Sequence, residues 1–266
     1  MKISIITATW NSGATVQDTI DSVIAQMERC RALGVEVEHV IRDGGSKDDT
    51  VEIIRRNEPR YGGALRWVSE RDGGIYDAMN KGIGMATGDV IGILNSDDYY
   101  TGDDVLVRVA EQFASDPALE AVYGDIHFVK EPDLSRCTRY YSSKSFRPWM
   151  LRFGFMPAHP SFYVRRSVYE KYGLYDLDFR TSSDFEWMVR LFAKYRINAR
   201  YLDMDFVTMR EGGESTAGME AKRRVNNDIV ASLRKHGIFT CGAFRYVRYA
   251  VKGVGLIITK MKNQVR

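Results

Sequence analysis

An α/β fold built on a mostly parallel sheet is what this sequence predicts, and three observations carry it. Between residues 2 and 94, short β-branched apolar runs alternate with amphipathic stretches across short polar loops, the pattern of a parallel sheet with helices on both faces. Val90 to Leu94 is an apolar run that reads as a fully buried strand. Three strand ends carry an acid or a polar turn: Thr9-Trp10-Asn11, Asp43-Gly44-Gly45 and Asp97-Asp98. In such sheets the tips line one edge, where ligands bind. At 266 residues the chain has room for one large domain with an appendage.

Lys2 to Ala8 gives the first strand. A helix from Thr15 to Cys30 follows, with Val16, Ile20, Val23, Ile24 and Met27 on one face. Val35 to Ile41 is the second strand, and Asp48 or Asp49 caps a helix through Arg56. Leu65 to Val68 is the third, and a helix over Ile75 to Ala86 leads into Val90. Thr101-Gly-Asp-Asp104 has the form of a capping box for a helix through Ala114, and Ala121 to Val129 is a further strand. Past residue 130 the alternation fails. Residues 133–165 read as irregular and aromatic, a helix spans Ser183 to Tyr195, Tyr201 to Met209 is a late strand, and the remainder is helical.

Composition excludes several classes. A hydrophobic share of 44% with 27% charged residues is that of a soluble globular protein. Cys30, Cys137 and Cys241 are odd in number and far apart, which argues against a disulfide framework or a cysteine zinc site and fits a reducing compartment. The apolar stretch before Asn11 is too short for a secretory signal, and no run of 18 apolar residues occurs, so a cytoplasmic location is expected. The net charge of +3 is uneven: residues 222–266 hold 11 Lys/Arg and one acid. There Phe244, Tyr246, Val247, Tyr249, Val251, Val254, Leu256, Ile257 and Ile258 alternate with Arg245, Arg248, Lys252 and Lys260. This pattern suits a basic amphipathic helix at an anionic membrane surface, or a helix packed on the domain. No nucleic-acid module accompanies the charge, so nucleic acid is not an expected partner.

Asp97 and Asp98 suit a hard divalent cation, or one of them caps the next helix. No GxGxxG follows the first strand and no GxxxxGK[ST] occurs, which removes the nicotinamide, flavin and P-loop readings. The motifs that are present have a family likeness. Ile5-Ile-Thr-Ala-Thr-Trp-Asn11, Asp43-Gly-Gly-Ser-Lys-Asp-Asp-Thr50, Asp72-Gly-Gly-Ile-Tyr-Asp-Ala-Met-Asn80-Lys81-Gly82, Ala86-Thr-Gly-Asp89 and Leu94-Asn-Ser-Asp97-Asp98 resemble family 2 glycosyltransferases in order and spacing over roughly residues 2–210. The likeness is greatest to the bacterial exopolysaccharide, O-antigen and colanic-acid branch. Ala8 departs from the family's frequent proline.

The resemblance implies a GT-A fold, a nucleotide-sugar donor (a UDP-sugar), Mn2+ or Mg2+, and inversion at the anomeric carbon. It also implies a saccharide or lipid-linked saccharide acceptor, with the enzyme peripheral at the inner face of the plasma membrane. Carried onto this chain, Thr9, Trp10 and Asn11 line the base pocket, Asp43 holds base or ribose, Asp97 meets the ribose and Asp98 binds the metal. A cation there would stabilise the charge that develops on a departing diphosphate. Lys81 and Arg71 either meet the donor's phosphate or ribose or remain solvated surface charges.

Asp184, in Ser182-Ser-Asp-Phe-Glu186, matches the family's catalytic acid and would deprotonate the acceptor hydroxyl. Glu186 is the second choice, and Ser182 or Ser183 is placed to cap the helix. His159, stiffened between Pro157 and Pro160, is either structural or a further metal or diphosphate contact. The chain then divides into a nucleotide-sugar-binding half (1–130), an acceptor half carrying the base (131–216) and a basic helical extension (217–266). Two other classes share this layout: a nucleotide-sugar-binding partner protein without transfer activity, and a sugar nucleotidyltransferase.

Overall fold

The computed structural model describes residues 1–212, 218–241 and 244. β1 (Lys2–Thr9), α1 (Val16–Arg31), β2 (Glu36–Asp43), α2 (Thr50–Asn57), β3 (Leu65–Ser69), α3 (Ile75–Met85) and β4 (Val90–Ile93) follow one another as strand–helix units. The four strands are parallel in the order β3-β2-β1-β4. The order reverses between β1 and β4, a switch point of the kind beside which ligands bind at the carboxyl ends of the strands. Alternation along β1 explains the two-faced core: Ile3 and Ile5 join the cluster under α1, α2 and the later α4, whereas Ile6 and Ala8 join the cluster under α3. At Gly82 of α3 an added Cβ would run into Ile6, so the glycine permits close packing of the helix on β1.

After β4 the chain forms β5 (Tyr99–Tyr100), α4 (Val105–Ser115), β6 (Ala121–Val129), β7 (Arg139–Tyr141), β8 (Phe162–Arg165), α5 (Arg166–Tyr172), α6 (Ser183–Val189), β9 (Ala199–Arg210) and α7 (Gly218–Lys235). These strands extend the same sheet as β4-β8-β6-β9-β5, with β8 antiparallel to both neighbours and β7 on the edge of β6. Strands from both sides of residue 130 therefore share one sheet.

Several expectations change here. Residues 133–165 contain two strands and two 3-10 turns, and α5 follows unannounced. The helix expected through Tyr195 passes at Arg190 into a π turn. Thr101 does not open α4: its amide bonds the Phe206 carbonyl. Asp104 is the N-cap without a side-chain bond, and the Leu106 amide is taken by the buried Gln26 side chain at 2.9 Å. The pattern expected in the basic tail falls, apart from Phe244, outside the described residues. Among the described residues no helix is long and apolar enough to cross a membrane. Among the described residues no disulfide is formed.

Candidate active site

The rim is set by register. Thr9 pairs with Asp43, and Asp43 with Ser69, so three strand ends stand in one row. The loops beyond are cross-linked: the Asn11 amide donates to Ser46 Oγ (2.8 Å), the Ser12 amide to Thr50 Oγ1 (2.8 Å), and the Ser12 and Ser96 hydroxyls meet at 2.9 Å. Asn11 adopts φ 48°, a left-handed conformation that asparagine tolerates, and its Oδ1 accepts the Lys47 amide.

These bonds leave the Trp10 indole 62% exposed. A Cβ on Gly44 would lie 2.9 Å from Asp72 Oδ2 and 3.4 Å from Trp10 Cδ1. Trp10, Gly44 and Asp72 thus frame an open shelf whose aromatic wall suits a planar base. Thr9 is buried and its hydroxyl has no partner.

Asp43, only 1% exposed, accepts the Gly45 and Ser46 amides and the Ser46 and Ser69 hydroxyls. Three of these bonds fall on Oδ2 and one on Oδ1, and together they close the turn that shapes the shelf. Arg71 is exposed on the neighbouring loop. Lys81 forms an ion pair with Asp77 at 2.9 Å one turn earlier on α3.

Next to the switch point, Asp98 is fully buried. Asn95 Nδ2 donates to its Oδ2 at 3.0 Å, while Oδ1 is buried without a partner. Burial, reinforced by the charge of Asp97, pushes its pKa well above the carboxylate range; burial also raises Asp97, against the opposing pull of Arg210. Neither acid caps α4, which starts at Val105. Two adjacent, poorly solvated carboxylates with an orphaned oxygen are an arrangement that a hard divalent cation relieves. Among the described residues no third His, Cys, Asp or Glu joins them to complete a site. The donor set fits a cation whose remaining positions are filled by phosphate oxygens and water.

Arg210 was not foreseen. Antiparallel pairing of β5 with β9 (Tyr99 with Thr208) sets Arg210 opposite Asp97. Its Nη1 donates to the Asp97 carbonyl at 2.8 Å, it pairs with Asp18, and the guanidinium lies 5.2 Å from the Tyr99 ring centre.

Asp184 lies in the first turn of α6, yet its anchor is on the other side of the sequence. Tyr76, in the first turn of α3, donates its hydroxyl to Asp184 Oδ1 at 2.9 Å, and the Phe185 amide donates to the same oxygen at 2.8 Å. Because α3 follows β3 directly, the Tyr76 bond ties Asp184 to the helix that starts at the carboxyl end of that strand. Burial, then the Asp184 charge, raise the Tyr76 pKa well above its ordinary value, so this hydroxyl remains a donor.

Behind it, Asn80 clamps the loop before α6 by pairing with both the carbonyl (2.8 Å) and the amide (3.0 Å) of Tyr175. The Tyr175 hydroxyl meets His159 Nε2 at 2.8 Å. His159 is buried, its pKa is lowered by that burial, and among the described residues the charge that opposes the shift is Asp184. The structure therefore groups His159 with Asp184, not with the Asp97–Asp98 pair where a metal role had placed it.

Glu186 is excluded as the base: it is 1% exposed and paired with Arg190 (2.9 Å) and His236 (2.6 Å). Ser182 and Ser183 do not cap through their side chains; Ser183 Oγ bonds the Asp176 carbonyl.

The model of glycosyl transferase family 2 matches residues 4–173. This chain belongs to that family. An uncharacterized glycosyltransferase of Mycobacterium tuberculosis is 33% identical over 195 residues, 71% of this chain and 68% of the relative. Among solved structures, S. aureus TarS 1-349 in complex with UDP superposes with TM-score 0.63 at 17% identity, over 88% of this chain and 65% of that one. A mannosyltransferase from Pyrobaculum calidifontis in complex with GDP-Man and Mn2+ gives 0.61 at 20%, over 88% and 63%. This chain thus spans just under two thirds of each solved chain. The family 2 chain has the GT-A fold, and it is a glycosyltransferase.

Proposed function

We propose that this family 2 glycosyltransferase is inverting and metal-dependent, and moves a sugar from a UDP-sugar to an acceptor hydroxyl in cell-surface polysaccharide assembly. The observation that carries the reading is the two-point hold on Asp184 Oδ1. With Oδ1 engaged by the Tyr76 hydroxyl and the Phe185 amide, Oδ2 is left as the oxygen that takes a proton. The acceptor hydroxyl loses its proton to Oδ2 as its oxygen bonds to the anomeric carbon, and the bond to the diphosphate breaks on the opposite face. One such displacement inverts the configuration.

Asp97 and Asp98 would hold Mn2+ or Mg2+, which supplies positive charge to the leaving diphosphate when bound. Arg210, fixed beside Asp97, adds a permanent positive charge at that end. Trp10 and Asn11 would face the base, on the shelf that Asp43 shapes. The Mn2+ and UDP bound in the two solved structures support the cation and donor assignments. The acceptor is a saccharide, lipid-linked at the membrane surface that the basic C-terminal segment contacts.

Asp184→Asn keeps the shape and removes the base. Turnover of donor with acceptor should fall by about 10^2 to 10^4 while donor affinity stays within about threefold. Equal turnover in the variant and the wild type would overturn the assignment, and binding without turnover in both would leave a donor-binding protein.

A further inference from the structure

The segment Pro148–Phe153 and the described residues Phe239, Thr240 and Phe244 beyond α7 meet in an aromatic face. Trp149 packs edge-on against Phe153 with ring centres 6.0 Å apart, Phe153 against Phe244 at 4.6 Å, and Phe244 against Phe239 at 6.2 Å. The Thr240 hydroxyl ties the two segments by donating to the Arg152 carbonyl at 3.1 Å. This is not a core. Trp149 is 60% exposed and Phe239 73% exposed, the latter the most exposed large apolar side chain described. Arg147 and Arg152 are exposed on the same segment as Trp149.

Single exposed rings are unremarkable in folded proteins, whereas a chain of four rings in contact, two exposed and two half-buried, with exposed Arg147 and Arg152 on the same stretch as Trp149, makes a binding surface. Residues 245–266 continue from Phe244 and hold six Lys/Arg without an acid. Aromatic rings flanked by cations match the headgroup level of an anionic bilayer, where ring and charge are both satisfied.

We propose that Trp149, Phe153, Phe239 and Phe244, with Arg147 and Arg152, form a docking face on the folded body for an anionic lipid surface. The proposal rests on the reading of a membrane-bound acceptor and adds that the acceptor half, not the C-terminal segment alone, seats on the bilayer. Such seating would present the Asp184 edge to a headgroup-linked sugar at a fixed height.

The test is co-sedimentation of the full chain with phosphatidylcholine vesicles with and without phosphatidylglycerol. Wild type should bind the anionic vesicles and release in high salt. Trp149→Ala/Phe239→Ala should lower the partition coefficient by about tenfold or more. Arg152→Glu should lower it by several-fold. Melting temperature and donor hydrolysis in detergent-free buffer should be unchanged in both variants. If the double variant sediments like wild type, the C-terminal segment alone is the anchor and the docking face is wrong, while the membrane-bound acceptor stands. If wild type binds neither vesicle, both ideas fail. A dimer lost in the double variant with vesicle binding intact would make the face a contact between copies and overturn the proposal.

Discussion

The donor rim and the base helix are built by different means. Along β3-β2-β1-β4 the functional groups are set by register and by tight turns whose partners are mostly backbone amides, as at Asp43 and Asn11. Around α6 they are set by side chains reaching across 95 to 108 residues of sequence, as with Tyr76 on Asp184 and Asn80 on Tyr175. A turn tolerates the loss of one side chain better than a clamp does, so the two regions should answer differently to substitution.

The strongest contrast is expected at Asp98. Asp98→Asn keeps the volume and removes a buried charge, and Mn2+-supported turnover should fall about a hundredfold or more. Its pH signature has a definite sign. Folded Asp98 keeps its proton to higher pH than the ordinary 3.8, so above about pH 4 the metal-free folded state binds more protons than the unfolded chain. The contribution of Asp98 to stability is therefore greatest at low pH and falls as pH rises through the elevated value. Acids held at lowered pKa, such as Glu38, act with the opposite sign, so the measurement is the difference between thermal melts of metal-free wild type and Asp98→Asn. A wild-type advantage over Asp98→Asn that grows with pH over that range would break the account of the acidic pair.

Tyr76→Phe comes next, with kcat lowered about tenfold and donor KM unchanged. Unchanged kcat in this variant would sink the assignment of Tyr76 as a positioning residue.

Asn80→Ala removes two bonds to the Tyr175 backbone and should cost about 2 kcal/mol in chemical denaturation. Lys81→Ala, on a half-buried i,i+4 pair, should change stability by under about 1 kcal/mol and donor affinity by under about twofold. A large loss of donor affinity there would return Lys81 to the phosphate.

Legibility in the sequence follows the same division. The parallel half was readable because strand, turn and amphipathic helix are local patterns, and the rim acids sit where those patterns end. Asp184 was readable through its motif, but its oxygen-by-oxygen environment was not, since Tyr76 lies 108 residues away. Arg210 escaped because antiparallel pairing of a two-residue strand leaves no local signal. Thr101–Asp104 misled for a related reason: the helix starts later, at Val105, where a buried glutamine from another helix satisfies the Leu106 amide.

One feature of α7 extends beyond its own packing. Asp228 accepts from the amide and hydroxyl of Thr181, Lys235 pairs with Asp176, and His236 pairs with Glu186, so three acid-linked struts run from the C-terminal helix to the loop and helix that carry Asp184. On the proposed reading of Asp184, α7 therefore helps to hold the proton acceptor from the far end of the described residues.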